Sequence, residues 1–177
     1  MRAMGPGSVS SLLKTALDVV YLIFWGFGAL LLAGALIAAA VPFDPNLVAT
    51  GGEGENMVQV QLTKPIVVGG LMMAAVYFAV LVVVIGELRR VFATLSVGDP
   101  FHPNNVNRLR LIAFGLVGLE LLNMMVRMLV RHFLPGVPQD LSLLSGATAW
   151  LAILVVVALV LVFREGARLR REAELTI

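Results

Sequence analysis

Four polar side chains interrupt an apolar stretch of the sequence, at a spacing typical of one face of a helix. They are separated by three, four and four residues: Glu120, Asn123, Arg127 and Arg131. Side chains three or four positions apart are neighbours on a helix surface. A carboxylate, an amide and guanidinium groups in such a row can bind an ion, a proton, a lipid headgroup or a small solute. The row is therefore a candidate polar site inside a membrane.

Glu120 lies near the middle of its apolar run, where an ionised side chain costs about 2.5 kcal/mol or more unless it is shielded. Arg127 lies seven residues further on, about 10 Å along a helix axis. A direct bond between the two therefore requires both side chains to bend toward each other, or a bridge through Asn123 or water. Arg131 is long enough to reach the outer membrane interface and to pair there with a loop acid such as Asp140.

The composition of the chain indicates that the helix with this row crosses a membrane. Of its 177 residues, 59% are hydrophobic and 14% are charged, whereas soluble domains are roughly half apolar and about one quarter charged. A spanning helix needs about 20 predominantly apolar residues. Four runs are long enough, namely 19–41, 66–86, 111–130 and 144–163. We predict an all-α integral membrane protein in which residues 1–177 form a single four-span domain.

The distribution of basic residues predicts the orientation of these spans. With four spans, both termini share one side with the segment between spans 2 and 3, and that side holds ten of the thirteen Lys and Arg residues. Basic residues accumulate on the cytoplasmic side of membrane proteins. We therefore predict a multi-pass protein of the bacterial cytoplasmic (inner) membrane with both termini in the cytoplasm. Anionic lipid accounts for the basic balance, so no direct contact with nucleic acid is needed to explain it.

The loop between spans 1 and 2 has the pattern of a small β-hairpin. Apolar and polar residues alternate from Met57 to Lys64, which is the period of a strand. Residues 46–50 are a candidate partner strand, and the glycine-rich residues 51–56 between them suit a hairpin loop. We predict a small extracytoplasmic hairpin that caps the helices.

An amphipathic helix is predicted on the cytoplasmic side, between spans 2 and 3. One face is apolar and consists of Leu88, Val91, Phe92 and Leu95. The other face is polar and consists of Glu87, Arg89, Arg90 and Thr94. Gly98 is placed to end this helix. Asp99 and Pro100 form a turn, and Pro103 with Asn104 or Asn105 starts and caps the third span.

Several residues of this cytoplasmic turn are candidate contacts for a partner or for lipid. They are Arg89, Arg90, Asp99, Phe101, Arg108 and Arg110. Phe101 is expected to anchor the turn by burying its ring. Basic amphipathic segments at membranes serve either as a scaffold at headgroup level or as a docking site for a cytosolic protein, and the sequence leaves both alternatives open.

Small residues recur four positions apart in two of the spans, which allows helix backbones to approach closely. The pairs are Ala29 with Ala33, Gly34 with Ala38, Gly70 with Ala74, and Ala75 with Ala79. Such rows serve either the packing of one four-helix bundle or the contact face of a homo-oligomer. Both alternatives are open at this point.

The segments around the turn and at the end of the chain resemble a known family. The relevant stretches are residues 88–92, 98–101, 104–109 and 163–166, followed by Leu169, Glu172 and residues 174–177. They resemble an uncharacterised family of small bacterial four-helix membrane proteins, the domain-of-unknown-function family 2975. The resemblance implies a four-span membrane protein, often encoded beside a small helix-turn-helix regulator. It implies no catalytic residue.

Enzymatic chemistry is not expected. The chain has no cysteine, which excludes disulfides and thiol chemistry. His102 and His132 fall on opposite sides of the membrane, so they cannot share a metal or catalytic site. We expect no cofactor and no metal site.

Two functional hypotheses remain. The first is a non-enzymatic membrane module that binds a cytosolic or membrane partner, such as a helix-turn-helix regulator, through its cytoplasmic turn and charged tail. The second is a channel-like or transporter-like homo-oligomer that uses the polar row on span 3.

Overall fold

The computed structural model describes residues 9–42, 48–51, 58–99, 101–134 and 143–175. The helices are α1 (Val9–Ala40), α2 (Lys64–Ser96), α3 (Pro103–Phe133) and α4 (Leu143–Glu174). Each is long and apolar enough to cross a membrane, so the predicted helical fold with four spans is confirmed. A helix of 32 residues is about 48 Å long, whereas the hydrocarbon core is about 30 Å thick. Each helix is therefore longer than the thickness of that core.

Two short strands lie in the chain between α1 and α2. Strand β1 (Val48–Gly51) pairs antiparallel with strand β2 (Val58–Gln61), and Val48 lies opposite Gln61. These strands fall within the segment for which the sequence predicts a hairpin. Most of its predicted loop, residues 52–56, lies outside the described residues. We call the end of the molecule nearest these strands the strand end, and the end at which α2 turns into α3 the turn end.

The residues of the predicted amphipathic helix between spans 2 and 3 are helical, but they form the last turns of α2 and not a helix between the spans. No proline follows the second apolar run before Ser96, and Gly86 does not adopt a positive φ, so the helix of span 2 continues through Glu87 to Ser96. The predicted polar face also faces the protein in part. Glu87 is buried and Thr94 is half-buried.

The end of α2 and the start of α3 follow simple capping rules. Gly98 has a φ of 86°, and the N–H groups of Gly98 and Asp99 donate to the carbonyls of Leu95 and Thr94 at 3.1 and 3.0 Å. This pair of bonds is the Schellman motif, which requires a left-handed residue and favours glycine. The prediction that Gly98 ends the helix is confirmed. Pro100 lies outside the described residues.

The cap of α3 differs from the prediction. His102 is the N-cap, since its Nδ1 accepts a hydrogen bond from the backbone N–H of Asn104 at 3.2 Å. Pro103 occupies the first helical turn, as predicted. The side chains of Asn104 and Asn105 therefore do not cap this helix, and Asn105 packs elsewhere.

The helices pack in chain order. Helix α1 packs on α2, α2 on α3 and α3 on α4, and no other pair of helix backbones lies as close within the described residues. The predicted bundle is therefore open, with α1 and α4 at its two edges. Ala29 and Ala33 are exposed on α1, while Gly34 faces Leu71 of α2 and Ala75 is buried.

The buried core connects α2, α3 and α4 in the half of the molecule nearer the turn end. It contains Val84, Val91, Val106, Leu109, Ile112 and Val160. Helices α2 and α3 approach each other closely at Gly115, since a Cβ atom at this position would overlap the Val84 side chain. Glycine at this position allows the two backbones to approach closely.

Candidate functional site at the turn end

Phe101 fixes the turn between α2 and α3 to helix α4. Its ring packs on the backbone of Gly166, where a Cβ atom would overlap two ring carbons and crowd a third. The ring centroid also lies 5.9 Å from that of Phe163, a separation typical of interacting aromatic side chains. Phe101 is 38% exposed. The ring that the sequence predicts as an anchor is thus seated in a notch on α4 that only glycine leaves open.

An ion pair lies beside this aromatic contact. The Arg170 guanidinium of α4 donates to the Asp99 carboxylate of the turn. Both side chains are partly exposed, so the pair adds about 1 kcal/mol or less to stability. Its main effect is geometric, because it fixes which turn of α4 faces the loop.

Arg89 connects the last turns of α2 to α1. Its Nε and Nη2 atoms both lie 2.5 Å from Oδ1 of Asp18. Its guanidinium carbon lies 4.4 Å from the centroid of the Tyr21 ring, which adds a cation–π contact. Neither Asp18 nor Tyr21 was predicted from the sequence as a site residue. The signal in the sequence is an acidic and an aromatic residue three positions apart at the start of the predicted first span.

Asn105 forms the centre of a polar network between α2 and α3. It is fully buried, with 0% of its surface exposed. Its Nδ2 donates to Thr94 Oγ1 at 2.7 Å, and its Oδ1 accepts from Arg108 Nη1 at 3.2 Å. Arg108 also donates to the carbonyl of Arg90 at 2.8 Å. The sequence suggested Asn105 only as a helix cap, and its part in a buried network was not predicted.

Some of the remaining basic residues of the turn end form ion pairs, and others do not. Arg90 pairs with Glu87, and Arg168 pairs with Glu165 and Glu172 at 2.7 and 3.5 Å. Three exposed arginines have no ion pair among the described residues, namely Arg110, Arg164 and Arg171. Of the predicted contact arginines, Arg110 alone in the described part of the chain is exposed without an internal hydrogen bond or ion pair.

The residues of the polar row on span 3 do not form one site in the structure. Arg127 Nη2 lies 3.2 Å from Glu120 Oε1, so the two side chains do bend toward each other and need no bridge. The Glu120 side chain is 12% exposed and that of Arg127 is 41% exposed. Asn123 lines a groove between α2 and α3, and Arg131 is exposed. Asp140, the predicted partner of Arg131, lies outside the described residues.

The family model described as protein of unknown function (DUF2975) matches residues 39–177. The chain belongs to this family. No curated protein and no solved structure matches the chain.

The stretches by which the chain resembles the DUF2975 family meet in three dimensions. Phe101 from the turn packs on Gly166 and Phe163 from the closing stretch, and Asp99 pairs with Arg170. Thr94, Asn105 and Arg108 connect the end of α2 to the start of α3. In this DUF2975 protein these stretches form one brace, which we define as Asp99, Phe101, Phe163, Gly166 and Arg170.

The described part of this DUF2975 chain brings no group of three His, Asp or Glu residues close enough to hold a metal ion. The turn end offers instead an array of guanidinium and carboxylate groups on a rigid helical base. Such a surface suits recognition of charged groups on a protein or a lipid.

Proposed function

We propose that the protein is a non-enzymatic membrane module that binds a partner at the turn end. In this proposal it is a multi-pass protein of the bacterial cytoplasmic membrane, and both termini and the turn end face the cytoplasm. The bias of ten of thirteen basic residues toward this end supports that orientation. The two strands then lie on the extracytoplasmic side.

The brace between the turn and α4 is the observation that supports this function best. Phe101 packs on Gly166 of α4. Asp99 pairs with Arg170 one turn further along that helix. These two contacts hold the last turns of α4 in one orientation. Helix α4 is 32 residues long, which exceeds a hydrocarbon core of about 30 Å by roughly three helical turns. The helix therefore presents its charged end beyond the membrane surface as a rigid element.

The charges at this end indicate the chemistry of the partner. Arg110, Arg164 and Arg171 are exposed, while Arg168 lies between Glu165 and Glu172. A pattern of exposed arginines interleaved with carboxylates suits a protein surface with acidic and basic groups better than the uniform charge of nucleic acid. A cytosolic protein, such as the helix-turn-helix regulator that the family resemblance implies, fits this surface.

Charge reversal at the exposed arginines tests this function. We expect Arg164→Glu with Arg171→Glu to reduce recovery of a cytosolic partner on tagged protein by about tenfold or more, since reversing contact charges costs more than 1.4 kcal/mol. Recovery is measured as the partner-to-bait ratio from gently solubilised membranes. Arg131→Glu, an exposed arginine at the strand end, is the matched control and should leave the ratio unchanged. Equal recovery with both variants would contradict the proposal.

A second function is favoured by the Glu120–Arg127 pair. An ionisable pair within a spanning helix is costly and often marks a transport pathway. In this alternative the protein is a channel-like or transporter-like homo-oligomer in which Glu120 binds a cation or exchanges a proton. Proton flux into proteoliposomes that is present with the wild type and lost with Glu120→Gln would support it. Flux equal to that of empty vesicles would contradict it.

The pair itself makes a prediction that holds for either function. Removing one partner leaves the other charge uncompensated, so Glu120→Gln and Arg127→Gln are each expected to lower the free energy of unfolding by about 2 to 4 kcal/mol. The double variant should lose less than the sum of the two, by about 1 kcal/mol or more. Unfolding of the four proteins in one detergent measures this coupling. Additive losses would show that the 3.2 Å contact contributes nothing to stability.

A further inference from the structure

A groove lies between helices α2 and α3 toward the strand end. They are in close contact at Val84 and Gly115. Beyond that point a cavity of about 530 Å³ lies between residues 65–78 of α2 and residues 122–133 of α3, and Leu134 after α3 also lines it. This volume falls within the range of roughly 300 to 1,000 Å³ that is usual for small-molecule sites.

The lining of the groove is apolar along nearly its whole length. Of its fifteen lining residues, Tyr77 and Asn123 alone have polar side-chain atoms. Both belong to spanning helices, so the solvent available to the groove is lipid. An apolar cavity in that setting excludes ions and polar solutes and accepts hydrocarbon.

The groove is at least as long as the hydrocarbon region of one leaflet. From Pro65 to Phe78 the wall formed by α2 spans fourteen residues, whose first and last Cα atoms are separated by about 20 Å along the helix axis. One leaflet contributes about 15 Å of a hydrocarbon core of roughly 30 Å. A chain that enters at the strand end therefore reaches the bottom of the groove near the middle of the membrane.

Two glycines keep the groove open. Gly69 and Gly70 both line it, and a Cβ atom at either position would meet no atom within 4 Å. These glycines therefore do not serve close helix contact, as Gly115 does. Their effect is to leave space on the wall formed by α2 that a larger side chain would fill.

We propose that this groove binds one acyl chain of a phospholipid from the leaflet at the strand end. The phosphate of that lipid lies at the level of Lys64 and Arg131, which are next to the lining residues Pro65 and Val130. Basic side chains at the membrane interface suit a phosphate group. This lipid site is independent of the partner surface at the turn end.

Filling the groove tests the proposal. The probe is phosphatidylglycerol with a photoreactive diazirine near the end of one acyl chain, reconstituted with the full-length protein in vesicles. Cross-links are expected at groove residues such as Met73, Tyr77 and Val126 in the wild type. Gly70→Leu should reduce them by about tenfold, because its side chain enters the open space. Replacing a helical glycine improves helix propensity, so folding is preserved.

Gly118→Leu is the matched control. Gly118 is also a helical glycine whose Cβ would meet nothing within 4 Å, but it is not among the residues that line the groove. It should leave cross-linking at the groove residues unchanged.

Unchanged cross-linking in Gly70→Leu would overturn the proposal. So would cross-links at the groove no stronger than at Leu30, an exposed residue of α1, since that result indicates bulk lipid only. Recovery of a tightly bound quinone in place of phospholipid would overturn it as well.

Discussion

Alanine in place of Gly166 is expected to lower the free energy of unfolding of the purified protein by about 1 to 3 kcal/mol. The added Cβ atom would overlap the Phe101 ring, so the ring must leave its notch on α4. Phe101→Ala should cost about 2 to 3 kcal/mol, less than a fully buried phenylalanine, because the side chain is partly exposed. Unfolding in one mild detergent measures both losses.

The two changes should not be additive. Once Phe101 is alanine, the ring that clashes with a residue at position 166 is gone, so Gly166→Ala should become nearly neutral in that background. Gly146→Ala is the control on the same helix, since its Cβ would meet nothing within 4 Å, and it should be neutral or slightly stabilising. Additive losses, or an equal loss in the control, would contradict the proposed seating of Phe101 on α4.

Removal of the buried amide of Asn105 is the second large effect. Asn105→Leu should lower the free energy of unfolding by about 2 to 3 kcal/mol, because Thr94 and Arg108 each lose a hydrogen-bond partner in a buried site. Adding Thr94→Val should recover part of that loss, since apolar groups then replace both partners of one bond.

Asn107→Leu provides the comparison for this variant, as Asn107 lies on the same helix and is exposed. It should change stability by about 0.5 kcal/mol or less. If Asn105→Leu is no more damaging than Asn107→Leu, the buried network does not hold α2 and α3 together.

Features with a local cause could be predicted from the sequence. The four spans follow from the length of apolar runs, and the end of α2 follows from one glycine that adopts a positive φ. The alternation near Val58 predicts a strand there. In each case the residues that determine the structure are neighbours in the chain.

Features that depend on the placement of whole helices were missed. Asp18 and Arg89 are 71 residues apart, and so are Asp99 and Arg170. A helical period shows which residues share a face, but it does not show which helix packs on that face. For the same reason Gly166 could be read as part of a family pattern, but not as the seat of an aromatic ring.

The polar row of span 3 shows the same limit within one helix. Its spacing correctly places Glu120 and Arg127 on one side, and the structure brings them to 3.2 Å. The spacing could not show that Asn123 lines a groove with α2, because that depends on how the two helices pack beyond Gly115.

Measuring which side of the membrane the turn end faces tests the central proposal most directly, since a cytosolic partner must be able to reach the brace. The chain has no native cysteine, so single cysteines can be introduced at Gly54, Asn104, Gln139 and Thr176 and exposed to an impermeant thiol reagent on intact cells. We predict labelling at Gly54 and Gln139, and labelling at Asn104 and Thr176 only after the cells are permeabilised. Labelling of Asn104 on intact cells would place the turn end outside and contradict the proposed binding of a cytosolic partner.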